Sequence, residues 1–75
     1  MNGEMDVLDP TGHTKTTWDS ENESEIEAAR RLFDALTAKG FKAFRVKKDG
    51  SEDMPMKRFD PEAERMILVP PVQGG

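Results

Sequence analysis

The spacing of apolar positions changes along this 75-residue chain, and the changes mark its elements. Within residues 22–39, Ile26, Ala29, Phe33 and Leu36 recur at steps of three and four, with Leu32 and Ala35 flanking the stripe. That period predicts an amphipathic helix with one face for a core. Ser20 with Glu23, or Asn22 with Glu25, offers a capping box at its start, and acids in the first turn complement the helix dipole. Gly40, preceded by Lys39, stands where a left-handed C-cap is wanted.

On both sides of the helix the period shortens to two. EMDVLD and HTKTTWD read as two short strands around a turn supplied by Pro10 and Gly12. Thr14, Thr16, Thr17 and Trp18 favour strand, whereas Asp6 and Asp9 weaken the first arm. Residues 1–3 are expected to be a flexible end. Phe41 to Lys48 alternates, placing Phe44 and Val46 on one face beside the alkyl stems of Lys42 and Lys48. Asp49-Gly50 signals a hairpin, and Met54 to Phe59 reads as an edge strand because Pro55 lacks an N–H. Asp60-Pro61 starts a turn, and residues 62–65 suggest a short helical turn. Met66 to Val69 is uniformly apolar, as a central strand buried on both faces would be. The helix stripe is expected to pack on Phe44, Val46, Ile67 or Val69. Pro70 and Pro71 end the last strand, leaving residues 70–75 as an exposed tail.

This order, strand, strand, helix and three more strands, predicts a two-layer α+β domain. The chain length allows one core, so residues 1–75 are read as a single domain. There is no cysteine and only one histidine, His13, which excludes zinc-finger, thiol-redox and cysteine-nucleophile chemistry. No apolar run approaches the roughly 18 residues of a membrane span, and the acidic start is unlike a signal peptide. A soluble, cytoplasmic protein is therefore expected. The net charge of −4 is uneven: residues 1–29 hold eight acids against Lys15, and residues 30–75 hold ten bases against seven acids. A helix with an acidic start and solvated strand faces accounts for that imbalance, as does a bipolar surface with one half turned to a charged partner. Phe41 and Phe44 interleave with Lys39, Lys42, Arg45, Lys47 and Lys48, but a core this small needs both rings. Nucleic acid is not an expected partner. With no glycine-rich phosphate loop, paired catalytic carboxylates or nucleophile–base set, the chain does not read as an enzyme.

The last ten residues, MILVPPVQGG, carry a resemblance. Together with the element order, they resemble the ubiquitin-like β-grasp family, and within it the MoaD and ThiS sulfur carriers. An apolar final strand running into Pro70-Pro71-Val72-Gln73-Gly74-Gly75 is similar to the MoaD-type tail. Ubiquitin's own tail has a basic residue before its glycines, where this chain has Gln73. The turn before the last strand departs from the MoaD pattern, with Asp60-Pro61-Glu62-Ala63-Glu64-Arg65 in place of an Asp-Gly-Asp/Glu sequence. The resemblance implies a β-grasp fold, one amphipathic helix on a mixed four- to five-stranded sheet. It also implies a protein substrate whose Gly75 carboxylate is adenylated by a MoeB/ThiF-type activating enzyme.

A carboxylate is a poor electrophile until its oxygen becomes a leaving group, so ATP is consumed by that enzyme and the chain itself holds no cofactor or metal. Gly74 and Gly75 lack Cβ atoms and can thread a narrow channel, while Pro70 and Pro71 are expected to hold the tail away from the globule. With the chain ending at Gly75, the terminus would need no proteolytic unmasking. The partners implied are the activating enzyme and a target protein or sulfur acceptor, and the free protein is expected to be a monomer. Docking is expected on the exposed sheet face near the C-terminal strand, with an apolar centre and Arg45, Lys47 or Arg58 at its rim. Met54 and Met56 on the edge strand are further interface candidates, whereas Trp18 and Met66 suit the core and His13 a surface. The alternative from another class is a non-conjugating β-grasp interaction module, phage-encoded or a complex subunit.

Overall fold

A computed structural model of the chain describes residues 2–9, 12–46 and 53–71. The described elements are β1 (Asn2–Asp9), β2 (Gly12–Asp19), α1 (Glu23–Ala38), β3 (Lys42–Val46), β4 (Asp53–Met56) and β5 (Arg65–Val69). The strands form one mixed sheet in the order β2-β1-β5-β3-β4. Its outer pairs are antiparallel, β1 and β5 run parallel, and β3 and β5 are antiparallel. With α1 packed on one face, the architecture is a two-layer α+β domain.

Local chemistry fixes the ends of α1. Asn22 Oδ1 accepts the Ser24 and Glu25 N–H groups at 3.1 and 3.2 Å, so Asn22 is the N-cap and not Ser20. Glu25 reaches back to accept the Asp19 N–H at 2.9 Å and the Asn22 amide at 3.0 Å, tying the helix start to the end of β2. At the other end Gly40 takes a φ of +102°. Phe41 N–H donates to Leu36 and Gly40 N–H to Thr37, the paired bonds of a Schellman cap.

The core lies between α1 and one sheet face, where Met5, Val7, Trp18, Ala29, Phe33, Ala43, Ala63, Met66 and Leu68 are buried. Successive strand residues point to opposite faces. Met66 and Leu68 therefore face α1, while Ile67 and Val69 lie half-buried on the other face with Phe44 and Val46. This reverses the expected packing of the helix on Phe44, Val46, Ile67 or Val69. Trp18, Phe33 and Phe59 occupy the volume beneath the helix, and Ala43 is the β3 residue that enters it.

Other boundaries shift as well. Asn2 and Gly3 belong to β1, and Gly3 is buried opposite Trp18, so residues 2 and 3 are not a loose end. The edge strand stops at Met56, and Phe59 turns inward to meet Trp18 at 5.0 Å between ring centroids. Ala63 N–H donates to Asp60 at 3.1 Å and β5 starts at Arg65, replacing the expected helical turn over 62–65. Pro10, Thr11 and residues 47–52, on which the expected hairpin at Asp49-Gly50 falls, lie outside the described residues.

Candidate functional site

The proposed tail leaves the centre of the sheet. β5 is flanked by β1 and β3, and its last residue, Val69, pairs with Lys42. β5 is thus held on both edges up to the point where the chain leaves the sheet. The next two residues do not stand clear of the globule as expected. Pro70 and Pro71 are half-buried, and a Cβ placed on Gly40 would lie 3.3 Å from the Pro71 Cβ. Pro71 thus packs on the C-cap of α1, where a glycine leaves room for it. Val72, Gln73, Gly74 and Gly75 lie outside the described residues.

A cleft of about 530 Å³ has Thr37, Phe41, Phe44, Pro55 and Met56 in its lining, together with Lys42 and Lys57. Met54, on the same edge strand, is the most exposed large apolar side chain described, and Leu8 on β1 is the other.

Of the residues expected to form a basic rim on the open sheet face, Arg45 lies on the other side. Arg45 has the parity of Ala43 and so belongs to the helix side, where its guanidinium lies 3.4 Å from Asp60. Arg58 is exposed on the connection between β4 and β5, and Lys47 lies outside the described residues. On the open face Phe44 pairs with Ile67 across β3 and β5.

Sequence reasoning missed the polar half of that same face. Asp6 sits beside Ile67 on the parallel strand and is 5% exposed. Arg65 donates to its Oδ2 from Nη2 at 2.9 Å and from Nε at 3.0 Å, and Glu4 lies 3.5 Å from the same guanidinium. Lys15 extends the row to Glu4 at 3.7 Å, while Asp6 Oδ1 has no hydrogen-bond partner among the described residues. Of the two acids that weakened the first strand by propensity, Asp6 is the one that pairs with Arg65, with Glu4 beside it. The available signal was their alternation, Glu4 and Asp6, against a base opening the last strand.

Among the described residues, no group of three or more His, Asp or Glu side chains is placed to hold a metal ion, and no helix is long and apolar enough to cross a membrane. Comparison with protein families, curated proteins and solved structures found no match.

Proposed function

We propose that this chain is a β-grasp protein of the ubiquitin-like kind, a sulfur carrier or protein modifier adenylated at Gly75 by a MoeB/ThiF-type activating enzyme. One observation carries the reading. The uniformly apolar segment that precedes Pro70-Pro71-Val72-Gln73-Gly74-Gly75 is the central strand of a β2-β1-β5-β3-β4 sheet, parallel to β1. That arrangement supports a β-grasp reading, and in the sequence the diglycine follows this central strand. The activating enzyme would convert the carboxylate to an acyl-adenylate. Sulfide-level sulfur from a donor would then displace AMP to give a thiocarboxylate, or an amine target would displace AMP to give an amide. The chain's own part is to present glycines that pass through a narrow channel.

The half-buried Phe44, Val46, Ile67 and Val69, with exposed Leu8 on the same face, also favour a second reading: an interaction module that docks by its sheet and is never activated. Intact mass measurement after incubation with ATP and MoeB/ThiF-type enzymes separates the two. Adenylation, followed by gain of sulfur or an amide link, is expected for the full chain, with none for a chain truncated after Gln73. If the truncated chain fully replaces the full one in its host, the modifier reading fails and the interaction module stands.

A further inference from the structure

We propose that the edge of β2, unpaired among the described residues, takes up an extended, lysine- and arginine-rich segment of a partner as an additional strand. The inference does not depend on the tail. It starts from the direction of backbone groups. Glu4 N–H donates to the Glu64 carbonyl at 3.0 Å, so the Glu4 main chain faces β5. Its register partner on β2 is Thr17, and directly opposed antiparallel residues are alternately bonded and non-bonded. Thr17, and with it Lys15 and His13, therefore direct their N–H and C=O groups away from β1. Asp19 has the same parity, and its main chain meets Glu25 and Asn22 instead of β1, as this direction requires.

The result is a row of three edge-facing N–H and three edge-facing C=O groups on an eight-residue strand without proline. Its ladder with β1 runs unbroken from Asn2↔Asp19 to Asp9↔Gly12, so no bulge turns the edge aside. Thr14, Thr16 and Thr17 are residues that favour a further strand neighbour. The opposite edge is a poorer template, because β4 has four residues and Pro55 among them.

Charge selects the occupant. Asp19, Glu21, Glu23 and Glu25 cluster where β2 passes into α1, and none of the four is ion-paired with a base among the described residues. The one lysine on the strand, Lys15, is directed to Glu4. An added strand with a basic end beside Asp19 would gain main-chain bonds and charge complementarity together. A second copy is disfavoured, since it would bring two halves with eight acids against one lysine face to face.

The test uses the full chain, labelled with ¹⁵N, titrated with acetyl-KKVTVTV-amide and acetyl-EEVTVTV-amide. The basic peptide should bind saturably and slow amide exchange at His13, Lys15 and Thr17 by about tenfold or more, the residues that a new ladder would cover. Its affinity should fall at least about tenfold between roughly 0.05 and 0.5 M salt, and the acidic peptide should bind at least about tenfold more weakly. Thr17→Pro deletes an edge-facing N–H without touching a bond to β1, so it should abolish protection and leave the fold intact. Should that variant not fold, Glu21→Lys with Glu23→Lys must weaken the basic peptide selectively. The proposal is overturned if both peptides bind alike, if neither saturates at millimolar concentration, or if the protected amides lie on β4. It is equally overturned if the chain dimerises through these amides without peptide.

Discussion

Gly3 lies directly under the indole of Trp18, its register partner on the neighbouring strand, so closely that a Cβ there would overlap Cε2 and Cζ2 of the ring. The indole cannot retreat freely, because its Nε1–H donates to the Pro61 carbonyl at 3.2 Å and its face meets Phe59. Gly3→Ala should therefore destabilise the fold by about 1–3 kcal/mol, the range of overpacked cores. Urea unfolding followed by Trp18 fluorescence measures it. An unchanged midpoint would mean that the indole does not rest on Gly3.

Phe33 is fully buried and meets Phe59 edge-on at 5.9 Å between centroids, in the same aromatic group as Trp18. Phe33→Ala should cost about 3–5 kcal/mol, a large share of the stability of so small a domain. A well-folded variant with unchanged melting temperature would remove Phe33 from the core.

These two sites show what the sequence could and could not reveal. Phe33 was legible because a helix stripe is a local pattern, and Asn22, Glu25 and Gly40 mark its ends by equally local chemistry. The central place of β5 was legible from its unbroken apolar run. The facing of β3 and β5 was not, since both parities carry apolar residues and the choice depends on volume contributed from far along the chain. Trp18 and Phe59 fill the space that Phe44 was expected to take, and the inward turn of Phe59 has no sequence signal once Pro55 suggests an edge strand. Among the tail residues, Pro71 was misread because its contact with Gly40 joins positions 31 apart in the chain. Asp6 was read with Asp9 as a poor strand former, although it is the residue that pairs with Arg65, with Glu4 beside it.

The Asp6–Arg65 pair couples β1 to β5 on the face away from the helix. Arg65→Met should destabilise by about 1–3 kcal/mol, mainly by leaving a buried carboxylate short of donors. Adding Asp6→Leu should recover a substantial part of the loss, because the second change removes the stranded charge. A double-mutant cycle in urea measures the coupling. Strictly additive effects would show that the pair holds nothing together.

Glu27 links the exposed face of α1 to Arg30 and Arg31. The hydrogen bond from Arg30 is the largest influence and holds its carboxyl below the ordinary value of 4.5, with the charges of Arg30 and Arg31 adding to it against a desolvation penalty. A carboxyl whose folded value is lowered contributes stability above its unfolded value and loses it as pH falls through the folded one. The melting-temperature advantage of the native chain over Glu27→Gln should thus be greatest at neutral pH and shrink in acid. It should also shrink at high salt, as an exposed pair is screened. A difference independent of pH would exclude this contribution.

The contact between Gly40 and Pro71 decides how the tail leaves the domain. Gly40 has a φ of +102°, which side-chain-bearing residues rarely adopt, and a new Cβ would also press on the Pro71 ring at 3.3–3.4 Å. Gly40→Ala should therefore cost about 1–2 kcal/mol, most of it from the backbone. The remainder belongs to Pro71 and can be separated. In a Pro71→Gly background the ring is gone, so the same Gly40→Ala change should cost less, by roughly 0.5 kcal/mol, the scale of coupling between residues in contact. Pro71→Gly alone should lower the melting temperature slightly, because the ring's half-buried surface is lost and the unfolded chain gains freedom. Equal penalties for Gly40→Ala in both backgrounds would mean that Pro71 does not rest on the helix cap. Coupling would instead place the start of the tail against α1, so a protein gripping residues 72–75 would meet the Schellman cap and the cleft beside Phe41 at the same time.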